Sequence, residues 1–574
     1  MKRILWMVAV CMAAVVSLAA ERSESELKAI AKRQLGISAR RLSAAAVGRV
    51  SSGSLQLARM FEDGGVVVYA DQLAGSVIMS KDDRFPAVLG YTAGVIDGKH
   101  PLPCCMKWWI GEMNRQMEAV ARQGEAADAD VQTDDVPAVS HSVVTPMVTT
   151  KWAQGTPYNF NCPVIGSETA VTGCGATALA QICNFNEFPK SASFAATYYT
   201  QEGNTKTTHT TNVSTTYRYP LKKAYGYYSV DGSTTNIEEI SYIPVERKNI
   251  GALCRDCGYA LSMVYGTEAS GSSPFDTPIA ATDGMGYPKQ SVKQYWREFY
   301  TQNEWQTLVY GELAKGYPIL YSGQDETAGG HAFVVDGVDA DGLVSVNWGW
   351  QGVYDGYYAM DLMAGGDYEF SEAQSITIGF RPTALSNDRE ESIFVSEGYT
   401  LSNGEGTEQI VMDLSKGFYN YNYLPFNGAL YLCVEDAGSG DINVLKMADV
   451  TDLDQLYGYS MSKQCIDEDL QEVVQNGHTY KLYCASATSD ELDRGELQKF
   501  RVPGGAIYFT MTVDNAGKMR ITSNTIDEVI TAIDGVKTPG KTVVGGHTYN
   551  LGGMRVGNDF RGVVIKDGKK YLAP

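Results

Sequence analysis

The chain has 574 residues, with 47 Lys or Arg against 67 Asp or Glu and a formal net charge of −20. That length is more than one hydrophobic core can hold, and at about 150 residues per domain it predicts three or four units. The acidic balance is spread along the chain, which reads as a solubility feature and excludes a nucleic-acid partner gripped by its phosphates.

In chain order, Lys2 and Arg3 precede an apolar run, Ile4 to Leu18, that ends in Ala19-Ala20 before a polar stretch. This pattern predicts a secretory signal peptide over residues 1–20 and a secreted or cell-surface protein. No later run reaches about 18 apolar residues, so no transmembrane segment is expected. Leu27, Ile30, Ala31 and Leu35 recur at helical spacing. Val66 to Tyr69 and Ser76 to Met79 read as strands, and Met106 to Arg122 as a second helix. Residues 123–140 are acidic, small and poor in apolar side chains, which predicts an accessible linker. Residues 21–140 are therefore expected to form a separable α+β unit.

Residues 141–385 are rich in aromatics and glycine, and a second linker-like stretch, Ala384 to Ser392, closes them. Beyond it, Leu430–Val434, Thr479–Cys484, Ala506–Val513 and Met519–Thr522 are short strand-like runs between turn residues. They predict an antiparallel β-sandwich-like domain over 386–533, followed by a small tail, 534–574. Cys254-Arg-Asp-Cys257 is a lone CxxC with no second pair and no suitably spaced histidines. It predicts a local disulfide or two buried thiols, and no metal. No cofactor is expected.

Two stretches carry chemistry. In Thr172-Gly173-Cys174-Gly175, the cysteine opens a run whose Ala176, Leu179, Ala180 and Cys183 fall on one helical face. A thiol there sits at the positive end of a helix dipole, beside backbone N–H groups free to bind an oxyanion. In Gly329-Gly330-His331, the histidine heads a strand-like run, Ala332 to Val338. The only other histidine within 150–385 is His209, in the polar stretch Lys206 to Asn212, which reads as a loop unable to fix an imidazole. A general base must be held in place, so His331 is the candidate partner of Cys174. The turn Asp339-Ala-Asp-Gly342 folds Asn347 and Trp348 back toward His331, to orient or shield it, unless they are plain cross-strand packing. Gln154 lies on a Gly/Pro loop that could fold over the helix and add an amide donor for an oxyanion; alone it is a weak signal.

Together, Trp152-x-Gln154-Gly-x-Pro157-Tyr158-Asn159, Thr172-Gly173-Cys174, Gly329-Gly330-His331-Ala332-Phe333 and Val346-Asn347-Trp348-Gly349-Trp350 resemble the streptopain family of papain-like cysteine peptidases. The resemblance implies an α+β, two-lobed papain-like domain with Cys174 as nucleophile, His331 as base and then acid, and Gln154 as oxyanion donor. It implies that Asn347 or Trp348 orients or covers the histidine. It also implies substrate contacts at Gly329 and Gly330 and along Ser270 to Ser273, including Ser272 and Ser273. It makes 21–140 an inhibitory prodomain and protein or peptide chains the substrates. Streptopain ends soon after the region of Ile376 to Phe380; the tail beyond, Tyr549 to Val556 with Gly562 to Tyr571, separately resembles short C-terminal segments of exported bacterial proteins, which implies sorting or surface retention. The alternatives are an adhesin or binding protein on the same scaffold, and a cysteine amidase or transferase.

Overall fold

The computed structural model describes residues 21–42, 55–98, 102–126, 139–219, 221, 228–229, 234–235, 244–325, 329–360, 374–404, 409–527, 542–544, 548–550, 562–566 and 569–573. The expected signal peptide, most of the expected 123–140 linker and most of the 534–574 tail lie outside them. The chain divides into two compact units: residues 1–102, 109–137 and 359–362 in one, and 103–108, 138–358 and 363–574 in the other.

The first unit holds four antiparallel strands in chain order, Ala58–Asp63, Val66–Asp71, Gly75–Ser80 and Val88–Thr92. The expected first helix forms as Glu24–Leu42 and buries Leu27, Ala31 and Leu35. The spacing of those three side chains makes one apolar stripe, which is what lets a helix cover a sheet.

The second unit is built on an antiparallel sheet of six strands. Their order is Gly356–Tyr358, Val344–Asn347, Gly329–Val338, Ile319–Asp325, Ser375–Ile378 and Lys293–Trp296. Alternation along Gly329–Val338 gives this strand two buried faces. Ala332 and Val334 join the core around the helix Cys174–Asn186. On the opposite face Phe333 stacks on Tyr321, whose ring meets Trp305 of the helix Gln302–Ala314. That helix starts in a capping box between Thr301 and Glu304. A smaller sheet pairs Ser191–Glu202 with Thr205–Thr216 along twelve residues each.

Strands from Phe394 to Ile526 form a further, largely antiparallel sheet around an apolar core that includes Phe394, Leu430, Leu482 and Phe500. These residues group with residues 138–358 in one unit. Arg501 pairs with Glu304 at 2.6 Å and lies over the Tyr300 ring. Phe275, Trp296 and Phe299 pack against Tyr421. The segment expected as a linker is tied in by the same contacts, since Glu391 accepts a hydrogen bond from the Tyr295 hydroxyl.

Two sequence expectations change here. His209 is not in a loop: it lies in Thr205–Thr216, bonded to the Thr200 hydroxyl at 2.8 Å and stacked on Tyr198. Threonine rows favour strands through β-branching even when no apolar alternation announces one. The cysteine helix also buries more than one face, because every residue from Gly175 to Cys183 is enclosed. Cys254 and Cys257 are buried free thiols, one of the two outcomes expected for that pair.

Candidate active site

The local backbone before Cys174 is fixed by glycine. Gly173 has φ +84°, and a Cβ there would lie 2.8 Å from Met263 Cε and 3.1 Å from the Ser270 carbonyl. Only glycine meets both conditions without strain. One residue earlier, the Thr172 N–H donates to the Gln154 carbonyl at 3.0 Å. The Thr172 hydroxyl shares a 2.9 Å bond with Thr177 inside the helix. The Gln154 loop is thus pinned to the start of the cysteine helix.

Cys174 is the first residue of that helix and is half-buried. Its sulfur receives the Ala332 N–H at 3.4 Å and lies 3.9 Å from the Gly330 carbonyl. The thiol therefore meets the backbone on both sides of His331. His331 itself is buried and pairs across the sheet with Gly323. Its position in the strand shares the parity of Phe333, opposite to Ala332 and Val334. The Trp108 ring comes within 2.3 Å of where a Cβ on Gly323 would stand, and its centroid is 6.2 Å from that of Phe333. Trp108 thus occupies the face of the sheet on which His331 lies.

A cleft of about 880 Å³ opens at this point and is lined by Gln154, Cys174, Ser270, Gly330, His331 and Trp350, among others. Of the expected site residues, Gln154, Cys174, Gly330 and His331 come together there. Gly329 pairs with Asp325 one step further along the strand. Ser272 Oγ packs 3.2 Å from the Cβ position of Gly175, and Ser273 Oγ accepts the Phe275 N–H. The cleft wall on that side is instead Gly266 to Gly271.

Asn347 stands opposite Val334 in the hairpin. Its side chain donates to the Thr150 carbonyl at 2.7 Å and accepts from Gln181 at 3.2 Å and from the Gly349 N–H at 3.0 Å. Gln181, fully buried in the cysteine helix, also accepts from the Thr150 hydroxyl. The Asn347–Gln181–Thr150 network ties the sheet to the cysteine helix. Trp348 is buried with its indole N–H on the Tyr354 carbonyl and its ring against Phe333. Trp350, two residues on, is the tryptophan that lines the cleft. Trp350 lies inside a motif quoted above and Gln181 in the helical run that follows Cys174, yet sequence reasoning gave neither a role.

Two carboxyls behind the site are perturbed. Burial raises Asp355 to about 7, opposed by the Trp348 N–H and the Lys151 charge. Burial raises Asp336 to about 6, opposed by hydrogen bonds from Ser345 and the Val148 N–H. Among the described residues, no group of three or more His, Cys, Asp or Glu is placed to hold a metal. Nor is any described helix long and apolar enough to cross a membrane.

The chain is similar to known peptidases. Residues 152–358 match the Peptidase C10 family. Streptopain of Streptococcus pyogenes serotype M28 is 29% identical over 341 residues, spanning 55% of this chain and 80% of that protein. The thiol protease/hemagglutinin PrtT of Porphyromonas gingivalis is 30% identical over 332 residues, which are 54% of this chain and 36% of that protein. Among solved structures, a fragment of Prevotella intermedia prointerpain A aligns with TM-score 0.48 and 27% identity, covering 58% of this chain and all of the fragment. Active interpain A of the same organism aligns with TM-score 0.36 and 31% identity, covering 43% and 98%. Residues 152–358 thus form a peptidase domain of the streptopain (C10) type, and the chain is a cysteine endopeptidase of that type.

Proposed function

We propose that the chain is an exported zymogen whose peptidase domain, residues 141–385, cleaves proteins through Cys174 and His331. The observation that carries this reading is the Cys174 sulfur held against the backbone on both sides of His331, in a cleft shared with Gln154. The Cys174 thiolate attacks the scissile carbonyl, and the Gln154 amide and the Cys174 N–H bind the oxyanion. His331 gives the proton taken from the thiol to the leaving amine, and a thioester remains. His331 then takes a proton from water, whose oxygen attacks the thioester and releases the acid and the thiol. Trp350 shields the cleft, while Asn347 and Trp348 hold the strand that carries His331.

Residues 21–140 act as the inhibitory prodomain in this reading, following the signal peptide at 1–20. The Trp108 ring under Gly323, next to His331 in the sheet, supports that role. Cleavage between 123 and 150 would release the block. Residues 386–533 form the β domain, and 534–574 serve sorting or surface retention. The test is to incubate the purified full chain with casein and a thiol reductant beside Cys174→Ala. We expect wild type to process itself and degrade casein, and the variant to do neither. A folded wild type that does neither would refute the protease reading.

A further inference from the structure

We infer that Glu268 makes this enzyme select substrates that carry a Lys or Arg side chain next to the scissile bond. The inference rests on the reading of the Cys174 cleft as the substrate cleft. Glu268 sits at the tip of a loop closed by the reciprocal bonds of Val264 and Gly271, at 2.8 and 3.0 Å. Ser270 Oγ pins that loop twice, donating to the Val171 carbonyl at 2.7 Å and accepting the Gly266 N–H at 3.0 Å. The Val171 N–H returns a bond to the Gly266 carbonyl at 3.1 Å. The tip is therefore rigid relative to Cys174, three residues beyond Val171.

The chemistry of the wall fits a long cationic side chain. Val171, Val264 and Ala269 offer an apolar floor, and Glu268 adds the one carboxylate among the lining residues, where no Lys or Arg is found. Glu268 is exposed, and among the described residues its carboxylate takes part in no hydrogen bond or ion pair. A Lys or Arg would lay its methylene stem on the valines and bring its charge to the carboxylate. A purely apolar side chain would gain only the floor.

The test uses the full chain after self-processing in thiol reductant. Fluorogenic peptides are scanned one position at a time with Lys, Arg, norleucine and Glu. Norleucine keeps the Lys stem without its charge. We expect one position at which Lys exceeds norleucine in kcat/KM by about two- to fivefold, the scale of an exposed ion pair. Glu268→Gln should bring the Lys-to-norleucine ratio at that position close to one. Glu268→Lys should turn the preference toward Glu, and added salt should shrink it in wild type. A wild type that degrades casein but shows no cationic preference, or keeps it in Glu268→Gln, overturns the inference alone. A wild type that cleaves neither casein nor any peptide overturns the protease reading and this inference with it.

Discussion

Asp355 shows how much one buried side chain can matter here. It lies behind the strand that leads from Asn347 to Trp350 and holds the Trp348 N–H at 3.0 Å. Burial raises its carboxyl from an ordinary 3.8 to about 7. A raised folded value means the fold binds the proton more tightly than the unfolded chain. The stability this contributes is complete below about pH 4 and is lost as pH rises through about 7. Asp355→Asn keeps an acceptor for Trp348 and removes the ionisation. Its melting temperature, relative to wild type, should therefore rise steadily between pH 4 and pH 8. A difference that stays flat over that range would show that the carboxyl is not buried as described. At this scale the sequence was readable where chemistry demands rare residues in rare settings. Cys174 behind Gly173 and His331 behind two glycines are such cases. Asp355 and Gln181 were not legible, because what matters for them is burial and a partner far along the chain, and neither leaves a local pattern.

Among the elements, the cysteine helix illustrates what periodicity can and cannot say. Its start at Cys174 follows from the glycine before it and the alanine-rich run after it. Its complete enclosure does not follow, since Ala176, Leu179, Ala180 and Cys183 suggest one buried face only. The small residues on the remaining faces let a sheet, the helix Pro244–Ala260 and the Ser270 loop approach together. Gly173 is the tightest of these approaches. Gly173→Ala would set a Cβ against Met263 and Ser270 in a backbone region that disfavours L side chains, at about 1–2 kcal/mol or more. We expect its casein-cleaving activity to fall at least tenfold while circular dichroism still reports a folded chain. Unchanged activity would mean the turn into the helix is looser than the geometry says. The long pair Ser191–Glu202 and Thr205–Thr216 was missed for a related reason. Most of Thr205–Thr216 faces solvent, so it lacks the apolar alternation that marks half-buried strands; its partner does alternate, with Ala192, Phe194, Ala196 and Tyr198 on the core side.

For the molecule as a whole, the distribution of cysteines decides how cleanly the mechanism can be tested. Among the described residues, nine cysteines are free thiols. Seven are buried, while Cys174 is half-buried and Cys465 is exposed at the end of the strand Gly458–Cys465. Burial pushes the Cys162 and Cys484 thiols up to about 12 and holds Cys254 and Cys257 well above the ordinary thiol range, so these are poor nucleophiles. Cys465 also lies above the ordinary thiol range, through partial burial and the Asp467 carboxylate beside it. The most direct test is to treat the self-processed chain with a peptidyl epoxysuccinyl inhibitor and locate the adduct by peptide mapping. One fast adduct on Cys174, lost in His331→Ala, is the expected result. Inactivation with the adduct on any other cysteine, or labelling of Cys174 that is indifferent to His331, would contradict the assignment of the pair.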